Sequence, residues 1–272
     1  MSIQKKILSG IGLMAVIIFF AFPFVWLVSS SLKTVVETLS VPPTLVPENF
    51  QWNNFVTAWE SGPFFKYLIN SILVTFGVLV LQIVTIVPAA YAFARHEFAG
   101  KKILWAITLI TLMIPLQLIF LPVFLQLSSW GILDSLWGLI LPFASGAFGI
   151  FMLRQTFMQV PNEILDAARL DKASELKIVW KIMMPLSKPT IITMLLFTFI
   201  SRWNDYFWPL VMTTTENART LPVGVAMLRT SETGVDWNIA MAANVILIIP
   251  ILIVYFFAQK RIIQAFTYTG VK

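Results

Sequence analysis

The sequence predicts an all-α, polytopic membrane protein with six transmembrane helices. Of its 272 residues, 58% are hydrophobic and only 12% are charged, and the mean hydropathy is +0.84. Soluble domains carry about 25% charged residues, so this composition excludes an ordinary soluble fold. The apolar residues also fall into six uncharged runs, and a membrane-spanning helix needs roughly 20 such residues. We therefore treat the chain as a single transmembrane domain.

The first three predicted spans are about residues 7–32, 70–94 and 103–127. The first run follows Lys5 and Lys6 and is too long for the apolar core of a cleaved signal peptide, so we interpret it as an uncleaved span. Residues 33–66, rich in proline and aromatic side chains, form the first loop. The strongly basic stretch 95–102 separates the second run from the third.

The last three predicted spans are about residues 135–158, 184–208 and 239–260. A charged segment, residues 160–183, separates the first two of these. Six prolines lie inside the apolar runs, namely Pro23, Pro88, Pro115, Pro122, Pro142 and Pro250. Because proline frees a carbonyl group and kinks a membrane helix, this number favours bent, cavity-forming helices over a plain anchor.

The distribution of basic residues predicts the orientation. Placing the N-terminus in the cytoplasm assigns 14 of the 19 Lys and Arg residues to cytoplasmic loops. The other five are Lys33, Lys66, Arg202, Arg219 and Arg229. Cytoplasmic loops carry an excess of Lys and Arg, so both termini and the charged segment are expected in the cytoplasm. The net charge of +6 fits this orientation better than binding to nucleic acid.

The sequence contains no set of residues typical of an enzyme. It has no Cys and a single His, His96, so a Cys/His metal site is excluded. The patterns G-x-x-x-x-G-K-[ST], H-E-x-x-H and G-x-S-x-G are missing. We interpret His96 as an interfacial residue, since a catalytic imidazole normally needs a partner that orients it. We expect no catalytic residue and no cofactor in this chain.

The charged segment is predicted to form two short helices with a bend. Asn162 is a suitable N-cap, and Glu163 lies in the first turn, where the helix dipole favours an anion. Ser174 offers a second N-cap. One face of the first helix is expected to carry Ile164, Leu165, Ala168 and the stem of Arg169. These residues fit either an amphipathic connector resting on lipid headgroups or an element that docks onto a partner.

The charged segment resembles the EAA loop of ABC-importer permeases, whose pattern is E-A-A, three residues, G, nine residues, I, one residue, L-P. The matching positions here are Asp166, Ala167, Ala168, Lys172, Ile182, Met184 and Pro185. Asp166 is one methylene shorter than the usual Glu, and Lys172 replaces the Gly. If that Gly adopts a left-handed conformation, a side chain there costs about 1 kcal/mol or more.

Other pieces of the sequence resemble the carbohydrate-uptake (maltose/glycerol-phosphate-type) branch of these binding-protein-dependent permeases, and the resemblance covers nearly the whole chain. The pieces are Asn70-Ser71, Ala89-Ala90-Tyr91-Ala92, Trp203-Asn204, Trp237 and Ala242-Ala243. The resemblance implies the type I ABC importer (MetI-like) permease fold in a bacterial cell membrane. It also implies import of a sugar or related polyol phosphate.

The resemblance further implies partners. They are a second homologous permease, two copies of an ATPase that uses ATP and Mg, an extracytoplasmic solute-binding protein, and the lipid bilayer. In this family a coupling helix, here residues 162–171, seats in a groove of the ATPase. The residues expected to couple to the ATPase are Glu163, Asp166, Ala167, Ala168, Arg169, Asp171, Lys172 and Pro185.

The fifth predicted span supplies most candidates for a translocation path. Arg202 and Asp205 are three residues apart and can pair on one face, either beside a polar cavity or as an ordinary ion pair at the outer interface. The candidates are Asn70, Arg202, Trp203, Asn204, Asp205 and Tyr206. Asn204 is the strongest of them, and most of the aromatic residues fit an interfacial belt.

The remaining polar groups inside spans, Asn70, Gln82, Gln117 and Asn244, are expected to make helix–helix hydrogen bonds. An alternative function is secondary transport driven by an ion gradient, which needs intramembrane acids and usually shows inverted repeats. Asp205 is its one candidate acid, and no internal repeat is visible.

Overall fold

A computed structural model describes residues 3–228 and 236–267 of the chain. These residues form helices, turns and loops without a β-strand, which confirms the all-α prediction. The early helices are α1 (Ile3–Ser31), α2 (Val35–Thr38), α3 (Asn53–Glu60), α4 (Phe64–Arg95), α5 (Lys101–Thr111), α6 (Leu116–Ser129) and α7 (Leu136–Ile140). Arg229 and Lys272, which enter the charge count above, lie outside the described residues.

The later helices begin after a 3₁₀ turn (Leu141–Phe143). They are α8 (Ala147–Gln159), α9 (Asn162–Leu170), α10 (Glu175–Ile178), α11 (Met184–Leu186), α12 (Lys188–Trp203), α13 (Phe207–Met212), α14 (Leu221–Met227) and α15 (Trp237–Thr267), with a π-helical turn (Val179–Met183) between α10 and α11. The chain divides into two compact units, which are described separately.

The first unit comprises residues 1–66 and 221–252. Its polar centre lies just after α1, where Lys33 is buried. The Lys33 Nζ donates to the carbonyl of Thr44 and lies 4.8 Å from the centroid of the Trp26 ring. Asn54 Nδ2 donates to the carbonyls of Ser31 and Lys33, both at 2.9 Å. The Asn54 side chain therefore satisfies the carbonyl of Ser31, the last residue of α1, which has no helical partner.

The second unit comprises residues 67–220 and 253–272. One of its apolar clusters joins α4, α8, α9 and α12 through buried residues, including Ile86, Tyr91, Leu153, Leu165 and Met194. Another surrounds Trp208, whose ring is in edge contact with Phe143 and Phe120. The Trp208 Nε1 donates to the carbonyl of Gly138 at 3.3 Å. These two clusters fix the short helices against α4.

The helices agree only partly with the predicted spans. Three described helices are long and apolar enough to cross a membrane: Ser9–Ser31, Phe64–Arg95 and Trp237–Gln259. Three further pairs are bent at short breaks, by 106° between α5 and α6, by 41° between Leu136–Phe143 and α8, and by 83° between Glu175–Leu186 and α12. Six spans result if each pair counts as one, so the number six stays a prediction.

The prolines explain some of these breaks. Pro115 is the N-cap of α6, and Pro142 lies in the 3₁₀ turn, so both mark places where a predicted span is interrupted. Pro23, Pro88, Pro122 and Pro250 lie inside helices that continue past them. A proline that frees one carbonyl does not by itself end a membrane helix, since neighbouring groups can satisfy that carbonyl.

Gly138 allows a close backbone approach in the second unit. A Cβ atom at Gly138 would lie 2.6 Å from the carbonyl oxygen of Ile132, and a backbone atom cannot move aside as a side chain would. We expect Gly138→Ala to destabilise the chain by about 1–3 kcal/mol, and the thermal midpoint of the detergent-purified protein measures this. Gly12→Ala is the control, since no atom lies within 4 Å of its added Cβ. Equal thermal midpoints for the Gly138→Ala and Gly12→Ala variants would refute the close approach at Gly138.

Candidate functional site

The left-handed turn after α9 has the geometry of a Schellman motif. Lys172 has φ of 58°, its N–H donates to the carbonyl of Arg169 at 2.9 Å, and the N–H of Ala173 donates to the carbonyl of Ala168 at 3.0 Å. These are the two hydrogen bonds of that motif, with Lys172 at the position where glycine is usual. The turn therefore keeps the conformation that suits glycine and accepts a side chain in it.

The start of α9 differs from the prediction. Pro161, not Asn162, is the N-cap, and it makes no side-chain capping bond. Asn162 is the first helical residue, and its Oδ1 accepts a hydrogen bond from Arg95 Nη1 at 2.6 Å. The Asn162 side chain is thus engaged by the end of α4, 67 residues earlier in the chain, which local capping rules do not anticipate.

The faces of α9 also differ from the prediction. Leu165 and Ala168 point into the apolar cluster and are buried. Ile164 and Arg169, which were expected on the same face, are exposed. The apolar side chains left uncovered are Leu170, Leu176 and Ile164, at 84%, 69% and 39% exposure. Ala168 is therefore committed to packing within the chain, whereas Ala167 and Asp166 lie on the open surface.

Glu175, at the start of α10, connects the charged segment to α4. Its Oε2 accepts a hydrogen bond of 2.6 Å from the Tyr91 hydroxyl, and its Oε1 accepts one of 3.1 Å from Arg169 Nε. His96 Nε2 lies 3.5 Å from Oε2. The hydrogen bond from Tyr91, aided by the hydrogen bond and the charge of Arg169, outweighs burial and holds the pKa of Glu175 below its ordinary value. We call Tyr91, His96, Arg169 and Glu175 the Glu175 hub.

The Glu175 hub is the part of this site that sequence reasoning missed. Ser174 was correctly predicted as an N-cap, since its hydroxyl accepts from the Lys177 N–H at 3.3 Å. Glu175 beside it carried no signal other than being an acid in a first turn. His96 was predicted to lie at an interface, and its contact with Glu175 is compatible with that. Within the described residues, no three His, Cys, Asp or Glu side chains are grouped as a metal site would require.

Arg95, the last residue of α4, makes a second connection. Its guanidinium donates to the carbonyls of Phe157 and Val160 as well as to Asn162. These carbonyls belong to the end of α8 and the turn before α9. The end of α4 therefore holds both ends of the charged segment's first helix, one through Arg95 and the other through the Glu175 hub.

The other residues predicted to couple lie on the surface of the charged segment. Glu163 and Asp171 are exposed at the two ends of α9. Asp166 Oδ1 is 3.6 Å from Arg169 Nη1. Pro185 is exposed in the first turn of α11, just before the 83° bend into α12. The structure thus brings this predicted set together along one segment, with Ala168 turned inward.

The predicted Arg202–Asp205 pair forms where α12 ends. Arg202 Nη1 donates to Asp205 Oδ2 at 2.8 Å, and both side chains are largely buried. The guanidinium carbon lies 3.7 Å from the centroid of the Phe143 ring, and Nη2 donates to Ser201 Oγ at 3.1 Å. Asp205 Oδ1 accepts from the Trp208 N–H at 3.2 Å, so the pair also fixes the start of α13.

The other candidates for the path occupy different environments. Asn70 is buried and donates to the carbonyls of Asn217 and Arg219, both at 2.9 Å. Trp203 is buried against Phe199, and Trp208 is buried as well, so neither belongs to an interfacial belt. Asn204 is exposed and donates to the carbonyl of Ile200 at 2.9 Å, and Tyr206 is partly exposed. These residues do not converge on one point.

A cleft of about 510 Å³ lies beside the ion pair and between the broken helices. Its walls include the break between α5 and α6, the break before α8, and the last turn of α12. Gln82 makes the predicted helix–helix hydrogen bonds here: its Nε2 donates to the carbonyl of Phe143 at 3.0 Å, and its Oε1 accepts from Thr198 at 2.8 Å. Thr85 donates to the carbonyl of Ala144 at 2.7 Å. Side chains of α4 therefore donate hydrogen bonds to carbonyl groups at the break before α8.

Comparison with known proteins gives consistent similarities. Residues 82–268 match the family described as "Binding-protein-dependent transport system inner membrane component". The chain is 31% identical to the diacetylchitobiose uptake system permease protein NgcG of Streptomyces coelicolor, over 88% of this chain and 80% of that protein. It is 32% identical to the sn-glycerol-3-phosphate transport system permease protein UgpE of Yersinia pestis, over 84% of each.

A solved structure gives the same answer for the fold. A chain of a bacterial ABC transporter involved in the import of the acidic polysaccharide alginate superposes with a TM-score of 0.83 and 27% identity. The superposition covers 96% of this chain and 98% of that one. The type I importer permease fold, which the EAA-like spacing implied, is therefore confirmed.

Replacing Lys172 tests the strain in the turn after α9. We expect Lys172→Gly to raise stability by up to about 1 kcal/mol, because glycine adopts positive φ without a steric cost. The thermal midpoint of the purified protein measures this. Lys172→Ala is the matched control, since it removes the charge but keeps the Cβ atom, and it should give no gain. If both variants raise the thermal midpoint equally, the gain comes from removing the charge, and backbone strain at Lys172 is refuted.

Removing the Tyr91 hydroxyl tests the Glu175 hub. A hydrogen bond to a charged group contributes about 1.5–3 kcal/mol, so Tyr91→Phe should speed amide hydrogen exchange in α9 by about tenfold or more. The phenyl ring keeps the apolar packing against Phe157. Tyr206→Phe, on a partly exposed ring, is the control and should leave exchange in α9 unchanged. Unaltered exchange in the Tyr91 variant would show that the hub does not hold the helix.

Proposed function

Since the chain belongs to the family of binding-protein-dependent transport system inner membrane components, among the sugar ABC importer permeases, we propose that it forms half of the translocation path of an ATP-driven bacterial importer. Its substrate is a sugar or a related polyol phosphate. The other half is a second homologous permease. An extracytoplasmic solute-binding protein delivers the substrate, and two copies of an ABC ATPase drive the cycle with ATP and Mg.

The proposed topology has six spans with both termini in the cytoplasm of a multi-pass cell-membrane protein. The excess of basic residues in the loops assigned to the cytoplasm supports this orientation. It places α9, α10 and the Glu175 hub on the cytoplasmic side, where an ATPase is accessible. The single observation that carries the proposal is the construction of α9, whose two ends are held by α4 while Ile164 and Leu170 stay uncovered.

This construction explains how a movement of the ATPase would reach the spans. The uncovered apolar side chains and the adjoining Asp166 and Arg169 suit a groove on a partner. A displacement of α9 acts on α4 through Arg95 and through Tyr91 with Glu175. Because α4 also contacts the cleft through Gln82, the same helix links the docking surface to the proposed path. This chain provides the surface that binds the ATPase and half of the path for the substrate. ATP hydrolysis belongs to the separate subunit.

Secondary transport driven by an ion gradient has no support in the family assignment. It would also use Asp205 as the coupling acid, and this carboxylate is paired with Arg202 at 2.8 Å and accepts from Trp208. Uptake driven by sodium or protons in liposomes that contain this chain alone would refute the importer proposal. An ATPase subunit that stays bound during purification in detergent would support it.

Charge reversal at Asp166 tests the coupling role of α9. In the reconstituted complex we expect Asp166→Lys to lower the amount of substrate transported per ATP by at least about fivefold, because the contact is part of the coupling free energy. Transport and phosphate release are measured on the same vesicles. Glu97→Lys is the matched control, since this carboxylate is 91% exposed and lies outside the charged segment. If both variants couple as the wild type does, α9 does not dock through Asp166.

A further inference from the structure

The cleft beside α12 has the side chains of a ligand site, and this step rests on the proposed function. We propose that the cleft is a contact site for an electrically neutral saccharide during passage, with Phe148 and Phe197 receiving sugar ring faces. The names of similar proteins do not decide the charge of the substrate, since they include both a neutral disaccharide and acidic ligands. The charges of the cleft decide it here.

The charge of the cleft lining favours a neutral ligand. Arg202 is the one charged side chain among the described residues that line the cleft. Its guanidinium is already neutralised by Asp205 at 2.8 Å, bound to Ser201 at 3.1 Å and covered by the Phe143 ring. A phosphate ester or uronate in this cleft would lose water without meeting a free cation, which carries a large desolvation penalty. A neutral ligand avoids that penalty.

A pair of aromatic rings in the cleft offers surface for stacking. Phe148 and Phe197 both line the cleft, and they are 50% and 51% exposed. Their centroids are 6.4 Å apart with the planes at 77°, so the rings meet edge to face and each leaves surface open. The apolar faces of a pyranose or furanose ring suit such open aromatic surface. A polar head group without apolar faces would gain nothing from it.

Hydroxyl and amide groups in the cleft can bind the hydroxyl groups of a sugar. Thr111, Ser145, Thr198 and Ser201 line the same cleft, together with Gln82. Thr198 donates to Gln82 Oε1, and Ser201 accepts from Arg202, so both hydroxyls are oriented and keep acceptor capacity for a ligand. Neutral donors and acceptors match the many hydroxyl groups of a saccharide. The cleft volume of about 510 Å³ lies within the range of small-molecule sites.

Non-helical backbone forms part of the cleft walls. Non-helical backbone at membrane depth is tolerated where it lines a cavity, and broken helices mark substrate sites in transporters. The breaks at 112–115 and 144–146 both contribute to this cleft. Gln82 and Thr85 satisfy the carbonyls of Phe143 and Ala144, which keeps this wall in place without a ligand. The site is therefore formed in advance.

The experiment uses the complete importer, with both permeases, the ATPase and the binding protein, in proteoliposomes. We expect Phe148→Ala and Phe197→Ala each to lower the transport rate by about fivefold, since a stacked ring contributes roughly this factor. ATPase stimulation by loaded binding protein should stay within about twofold of wild type, because these rings lie outside the Glu175 hub. Phe197→Tyr keeps a ring and should retain transport. Phe256→Ala, in α15 and outside the cleft, is the matched control.

The ligand is identified by mass spectrometry of the compound that co-purifies with the binding protein, and that compound is the transport probe. A neutral saccharide, with loss of transport confined to the two cleft variants, supports the proposal. A phosphate ester or uronate overturns it, and so does equal transport by the cleft variants and the Phe256 control. Loss of the second permease from the Phe197→Ala complex on size exclusion also overturns it, since the ring would then serve assembly. Failure of the ATPase to bind the wild-type complex would contradict the proposed function instead.

Discussion

A membrane protein with broken helices has to satisfy every freed carbonyl group from within, because hydrocarbon offers no hydrogen-bond donors. In this permease the donors come largely from α4. Asn70 serves the carbonyls of Asn217 and Arg219, Gln82 and Thr85 serve those of Phe143 and Ala144, and Arg95 serves those of Phe157 and Val160. The turn before α8, the turn before α9 and the loop after α13 therefore each receive hydrogen bonds from side chains of one continuous helix.

The same helix gives the permease a mechanical connection between its two candidate sites. At its C-terminal end it holds α9 through Arg95 and the Glu175 hub, and about four turns earlier it contacts the cleft through Gln82. The helix continues past Pro88, which lies between these two points, so one helical element and not a loop joins them. A single element, α4, therefore contacts both the proposed docking helix α9 and the cleft.

Sequence reasoning recovered what depends on composition, periodicity and local spacing. The all-α fold, the permease family, the Ser174 cap and the pairing of Arg202 with Asp205 could all be predicted, since each follows from residues close together in the chain. The N-cap at Asn162 was predicted wrongly because Arg95 competes for its side chain from 67 residues away. The Glu175 hub was missed for the same reason, as Tyr91 lies 84 residues before its partner. Lys172 was predicted to matter, but only the backbone shows that its turn keeps a positive φ.

The long separations along α4 have a consequence for biosynthesis. When α4 leaves the ribosome, Arg95 has no partner until Phe157–Asn162 has been made, at least 62 residues later, and Asn70 waits for 147 and 149 residues. At about 5–20 residues per second these delays are about 3–12 s and about 7–30 s. During that time the Asn70 amide and the Arg95 guanidinium, at the two ends of α4, lack their native acceptors. The helix therefore reaches its native set of contacts only after α8, the turn before α9 and the loop after α13 have been made.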